Sequence, residues 1–166
     1  MKDASDVITI LDADGIVTYA SPAMQRVLGM DPTEVVGARG IDLIHPDDLV
    51  RVGAAVTAAS GVPEGRQRVQ ARVARADGSY CPCEIVISDR HADPSVRGTV
   101  VSIRDIAELV ALHDKLSHQA LHDPLTELPN RTNLERRLNE ALAACDDDRR
   151  VAALFVDLDG FKAIND

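Results

Sequence analysis

Residues 68–73 read Arg68-Val69-Gln70-Ala71-Arg72-Val73, a strict alternation of polar and apolar side chains. Successive side chains of a strand point to opposite faces, so this stretch predicts a strand with one face on a core and one in water. Asp77-Gly78 follows, a pair that readily adopts the positive φ of a hairpin turn, and Glu84 to Ser88 and Val96 to Ile103 resume the strand-like pattern. Three strands in succession are expected here.

Working upstream, the period lengthens and the punctuation changes. His45-Pro46-Asp47-Asp48 opens a helix that ends near Ser60-Gly61, with His45 read as a cap rather than a haem ligand because it precedes a proline at a helix start. Asp31-Pro32-Thr33-Glu34 opens another, with Glu34 placed to bond back to the cap. Ser21-Pro22 and Gly29 bracket a third short helix. Val7 to Leu11 and Ile16 to Ala20 are strand-like runs on either side of Asp12-Ala13-Asp14-Gly15. If Gly15 is aligned with the glycine of a calcium loop, Ile10 and Ser21 fall on its first and last ligand positions, so a hairpin turn is the better account. Two strands, several short helices and three strands make an α+β order.

That order resembles a PAS domain over residues 5–105. The motifs that carry the likeness are Gly37 through Ile44-His45-Pro46-Asp47-Asp48, the Asp77-Gly78 hairpin and the closing Arg104-Asp105-Ile106. The resemblance implies a five-stranded antiparallel sheet with short helices, enclosing a pocket that in the family holds a small molecule or nothing. It leaves the occupant unassigned. The light-sensing branch of the family needs a cysteine in the helical middle of the domain, whereas Cys81 and Cys83 lie on a later strand.

From residue 106 to 121 the apolar residues Ile106, Leu109, Leu112, Leu116 and Ala120 recur at spacings of three and four, the mark of an amphipathic linker helix. So narrow a seam suits pairing with a second copy of the chain, although the first turn could equally pack back on the sensor sheet. Two heptad registers can be drawn, one through Ile106, Leu109, His113, Leu116 and Ala120, the other through Leu109, Leu112, Leu116 and Gln119. A shift between them would couple a sensor to whatever follows.

Beyond the linker, Asn130 or Thr132 can cap a helix whose Leu134, Leu138, Ala141 and Leu142 share one face. The run Val151 to Val156 then predicts a buried strand delivering the carboxylates of Asp157 and Asp159 to a sheet edge. The stretch His122-Asp123-Pro124-Leu125-Thr126-Glu127-Leu128-Pro129-Asn130-Arg131, together with Asp157 to Asp166, is similar to the opening of a GGDEF domain, the catalytic domain of bacterial diguanylate cyclases. Glu127 stands where that family usually has glycine. Residues 122–166 are thus expected to be a truncated α/β segment of such a domain, without its Gly-Gly-Asp/Glu-Glu-Phe stretch and inactive alone.

The resemblance implies the chemistry. Two GTP molecules, one per domain, are joined into cyclic di-GMP, so a homodimer is expected. Asp157 and the carbonyl of Leu158 are implied as Mg²⁺ ligands, Gly160 and Phe161 as phosphate contacts, Lys162 as the catalytic charge stabiliser and Asn165 as the guanine contact. Two alternatives remain: a GTP-binding, non-turning domain that regulates a downstream cyclic di-GMP phosphodiesterase, and a PAS-only dimerisation or interaction module.

Composition narrows the partners. A net charge of −9 argues against nucleic acid and anionic membrane surfaces. Aromatic residues make up 2% with no tryptophan, which weakens the case for a stacked flavin or haem. No apolar run is long enough to cross a bilayer and the start lacks a signal-peptide core, so a cytoplasmic protein with reduced, structural cysteines is expected.

Overall fold

The computed structural model describes residues 6–60, 65–145, 150–154 and 156. The chain divides into two compact units, Met1–Leu112 and His113–Asp166.

In the first unit, strands β1 (Val7–Leu11), β2 (Val17–Ala20), β3 (Arg66–Ala74), β4 (Tyr80–Arg90) and β5 (Gly98–Asp105) form one antiparallel sheet in the order β2-β1-β5-β4-β3. Between β2 and β3 lie helices α1 (Ala23–Leu28), α2 (Pro32–Val35) and α3 (Leu49–Ala59), with 3₁₀ turns at Gly40–Leu43 and Pro46–Asp48. The alternation at residues 68–73 places Val69, Ala71 and Val73 in the core. Across β4, Cys81, Cys83, Ile85 and Ile87 occupy the same buried face, as two-residue periodicity requires. The expected α+β architecture with its five-stranded antiparallel sheet is the one found.

Turn chemistry explains most boundaries. The Asp12 carboxylate accepts the N–H groups of Asp14 and Ile16, each at 2.9 Å, and Gly15 takes φ +77°, which makes the acidic stretch a β1–β2 turn. Gly29 ends α1 in the left-handed conformation at φ 74°. Strand β5 starts at Gly98 rather than Val96 because Asp93 folds residues 93–97 into a turn, and a Cβ on Gly98 would run into the Leu11 carbonyl.

Two expected caps use other partners. Ser21 does not cap α1; its hydroxyl accepts the Ile8 N–H at 3.0 Å and so ties the end of β2 to β1. Asp31 does cap α2, but through the N–H and hydroxyl of Thr33 at 2.8 and 2.6 Å, with no return bond from Glu34 among the described residues.

Helix α4 (Ala107–Leu121) follows β5 directly. In the second unit, α5 (Arg131–Ala143) is capped by Asn130, whose side chain accepts the Asn133 N–H at 3.0 Å. Residues 151–154 and 156 carry no strand and are exposed, against the expectation of a buried strand there. A strand needs a hydrogen-bonded neighbour, and among the described residues no strand of this unit offers one. The exposed Leu134 and Leu142 of α5 likewise show that its apolar face is uncovered by described residues.

Candidate functional site

The first unit holds a cavity of about 390 Å³ between the sheet and α3, open to solvent on one side. Its interior is aliphatic. Ile85, Ile87, Val101 and Ile103 rise from β4 and β5, and Val52 and Val56 face them from α3. Gly53 lines it between them, and a Cβ there would meet nothing within 4 Å. At the mouth stand Asp12, Asp14, Arg39, Ser60, His91 and Thr99. Among the described residues no Phe, Tyr or Trp lines the space.

The N-terminal end of α3, one wall of this cavity, is pinned to the sheet. Asp48 is 6% exposed; its Oδ2 accepts both the main-chain N–H of Arg72 at 2.9 Å and its Nε at 3.0 Å. Arg51 donates to Oδ1 at 2.9 Å. The hydrogen bond from the Arg72 guanidinium, then that from its amide, holds the Asp48 carboxyl down at about 2. Beside it His45 caps the Pro46–Asp48 turn, Nδ1 accepting the Asp47 N–H at 3.2 Å, and its ring meets Tyr80 edge-on at 4.5 Å. The expected capping role is the one observed.

A second cluster joins the sheet to α4. Asp105 Oδ1 accepts the Ala107 N–H at 2.7 Å, which caps the helix, while Oδ2 takes Arg75 Nη2 at 2.9 Å. The same Nη2 reaches Cys81 Sγ at 3.0 Å, and Arg75 Nε is buried without a partner. Ile106 is buried and donates its N–H to the Pro82 carbonyl at 3.0 Å. The start of the linker is therefore tied to the five-stranded sheet, and Ile106 is withdrawn from any seam. Further on, Leu109, Leu112 and Leu116 are 64%, 52% and 55% exposed. Burial pushes both the Cys81 and Cys83 thiols up, and all three cysteines are free, Cys145 alone being exposed.

In the second unit the stretch from His122 to Arg131 is a knot of short-range bonds around the C-terminal end of α4. Asp123 Oδ1 accepts the N–H groups of Leu125 and Thr126 and the Thr126 hydroxyl, which lowers its pKa, the Thr126 amide contributing most. Glu127 is held at φ 59°, the left-handed region that glycine tolerates best. Asn130 and Asn133 donate to the last carbonyls of α4, Ala120 and Leu121, at 2.9 and 3.1 Å. Asn133 is 2% exposed, and Arg136 donates to its remaining oxygen at 3.1 Å. These residues close one helix while opening the next.

The sequence-derived site residues Asp157, Leu158, Gly160, Phe161, Lys162 and Asn165 lie outside the described residues. Among the described residues no group of three or more His, Cys, Asp or Glu side chains could hold a metal, and no helix is long and apolar enough to cross a membrane. Arg39, Gly53 and Arg75 were not singled out by the sequence. Arg75 and Asp105 meet across 30 positions, a separation that no local pattern reveals.

Comparison with known proteins locates these features. Residues 1–106 match the family described as PAS fold, and residues 120–166 match the family described as diguanylate cyclase, GGDEF domain. Over 59 residues, 35% of the chain, the sequence is 56% identical to the bifunctional diguanylate cyclase/cyclic di-GMP phosphodiesterase MucR of Pseudomonas aeruginosa, covering 9% of that protein. Over its whole length it is 28% identical to the probable diguanylate cyclase DgcE of Escherichia coli, covering 15% of that protein. The chain thus spans a small fraction of the relatives it matches. The crystal structure of a PAS domain from Colwellia psychrerythraea superposes with a TM-score of 0.55 at 19% identity, over 62% of this chain and 87% of that one.

Proposed function

The chain belongs to the PAS family, and we propose on that ground that it is the sensory and coupling part of a cyclic di-GMP signalling protein in which a PAS sensor regulates a diguanylate cyclase domain. The observation that carries this reading is the succession, in one polypeptide, of a PAS match, a helix with exposed leucines and a GGDEF match.

In this reading α4 pairs with its copy in a homodimer through Leu109, Leu112 and Leu116, which brings two GTP-binding domains face to face. Asp157 and the carbonyl of Leu158 supply hard oxygen donors suited to Mg²⁺, and the metal contributes charge stabilisation at the phosphates. Gly160 and Phe161 offer main-chain amides to phosphate, Lys162 places a cation beside it, and Asn165 presents both a donor and an acceptor to guanine. The 166 residues contain no Gly-Gly-Asp/Glu-Glu-Phe stretch, and in this reading they form no cyclic dinucleotide by themselves. The protein works in the cytoplasm, without nucleic acid or membrane as partner of this segment.

The name of MucR joins a phosphodiesterase to a cyclase, and that pairing admits a second reading in which the cyclase-like domain binds GTP without turnover and controls a phosphodiesterase. The test is to incubate the product of the native reading frame with GTP and Mg²⁺ and to quantify cyclic di-GMP. Formation of the product supports the first reading. Retained GTP binding with no product supports the second, and neither binding nor product leaves only a PAS interaction module.

A further inference from the structure

We propose that His118 and His122 form a two-imidazole site for a first-row divalent cation of the zinc, nickel or copper kind at the C-terminal end of α4. The site does not depend on the cyclase reading, and its ion prefers nitrogen donors where the Mg²⁺ of that reading seeks oxygen.

Spacing brings the pair together. His118-Gln119-Ala120-Leu121-His122 sets two histidines four positions apart, about one turn of helix, so both rings fall on one side of α4. They stack, with centroids 4.1 Å apart and planes within 9° of parallel. Histidines at this spacing are the means by which a single helix offers two nitrogens to one zinc ion. Gln119 stands where a helical metallopeptidase site carries its glutamate base, so the chemistry on offer is binding rather than hydrolysis.

A second observation fixes which nitrogen is available. His122 Nδ1 lies 3.1 Å from the His118 carbonyl oxygen. A carbonyl only accepts, so Nδ1 carries the proton and Nε2 keeps its lone pair. This is the arrangement of a metal-ligating histidine, whose other ring nitrogen is held by a carbonyl or carboxylate. The His122 backbone is held as well, through its bridge to Pro129. His118 is the adjustable partner: its side chain is exposed and, among the described residues, its ring makes no hydrogen bond, so it is free to turn a nitrogen toward an ion that parallel rings alone would only flank. Of the acids adjoining the pair in sequence, Asp123 is engaged by the Leu125 and Thr126 amides, and Asp114 lies four positions before His118. Lys115 is exposed, and its long stem keeps its charge in water. Among the described residues no three donor side chains gather, so water fills the remaining coordination positions.

The test is calorimetric titration of zinc chloride into the untagged 166-residue chain, without GTP, for the wild type and for His118→Ala, His122→Ala and His113→Ala. The wild type should bind Zn²⁺, and an excess of Mg²⁺ of about 1,000-fold should not displace it, because imidazole suits the one ion and not the other. His118→Ala and His122→Ala should each weaken binding at least about 10-fold, since even the groups that merely orient a ligand are worth that much. His113→Ala removes a histidine of the same helix outside the pair and should leave the affinity unchanged. No zinc binding by the wild type, displacement by Mg²⁺, full affinity in His118→Ala, or an equal loss in His113→Ala would each overturn the site. The His118 ring makes no hydrogen bond among the described residues, so His118→Ala decides the matter even if His122→Ala disturbs the turn. Because no nucleotide is present, loss of the cyclase reading leaves a zinc result standing, and absence of zinc binding leaves the signalling reading standing.

Discussion

Asp48 grips Arg72 twice, through the main-chain N–H at 2.9 Å and through Nε at 3.0 Å, with both bonds ending on the same carboxylate oxygen. A contact between the residue that immediately precedes α3 and the second half of β3 thereby fixes helix to sheet along one wall of the cavity. Asp48→Asn keeps the shape and removes the charge; it should cost about 2 kcal/mol, the worth of charge-assisted bonds to a largely buried group. The pH dependence follows from the lowered pKa. A carboxyl held at about 2 when folded, and at its ordinary value near 4 when unfolded, contributes stability that is complete above about pH 4 and lost as pH falls toward 2. Denaturant midpoints of the first unit from pH 6 to pH 2 should therefore fall more steeply for wild type than for Asp48→Asn.

Asp105 divides its two oxygens between the Ala107 amide and Arg75, so one residue both caps the linker helix and ties it to the β3–β4 hairpin. Asp105→Ala should lose both functions and cost about 1 kcal/mol at the cap alone. Asp105→Asn should retain the cap and lose only the ion pair. Amide exchange at Ala107 separates the two variants, because only the alanine variant is expected to raise the opening rate there.

The sheet was legible because its strands alternate and its turns carry their own chemistry. Val69, Ala71 and Val73 announce the buried face of β3, and Asp77-Gly78 announces the turn without reference to anything distant. His45 was legible as a cap for the same local reason. Ser21 was not, since its hydroxyl serves an amide 13 positions away. The strand expected at Val151 failed because an apolar run specifies a tendency that only a neighbouring strand can complete. Of the cavity, nothing was legible beyond its existence. Arg39 and Gly53 are unremarkable in sequence and acquire meaning only when the fold sets them around one space.

Glu127 at φ 59° sits in a conformation that crowds its Cβ against the following carbonyl. Substitution by glycine removes that crowding, at some cost in chain entropy, and should leave a net gain of about 1 kcal/mol. The Glu127 amide, which donates to the Asp123 carbonyl at 2.9 Å, should then exchange about five-fold more slowly. Glu127→Ala keeps a Cβ and should show no such gain.

The three thiols should separate by accessibility. Burial raises the pKa of Cys81 and Cys83, so both stay protonated and out of reach of an alkylating reagent, while Cys145 is exposed. Iodoacetamide at neutral pH should label Cys145 first, with Cys81 and Cys83 labelled only once denaturant opens the sheet. Mass spectrometry of tryptic peptides reads the order directly, and early labelling of Cys83 would contradict the core assignment of β4.

Ile106 is buried and bonded to the Pro82 carbonyl, so a paired linker must begin its seam at Leu109, where the two heptad registers share a residue before they diverge. Leu112 belongs to one register and His113 to the other. Helix α4 presents Leu109, Leu112 and Leu116 to solvent, and a dimer that covers these three favours the register through Leu112 in the resting state. Single cysteines should therefore crosslink efficiently at Leu112→Cys and poorly at His113→Cys. Equal yields at the two positions would mean that α4 does not pair through the Leu112 register.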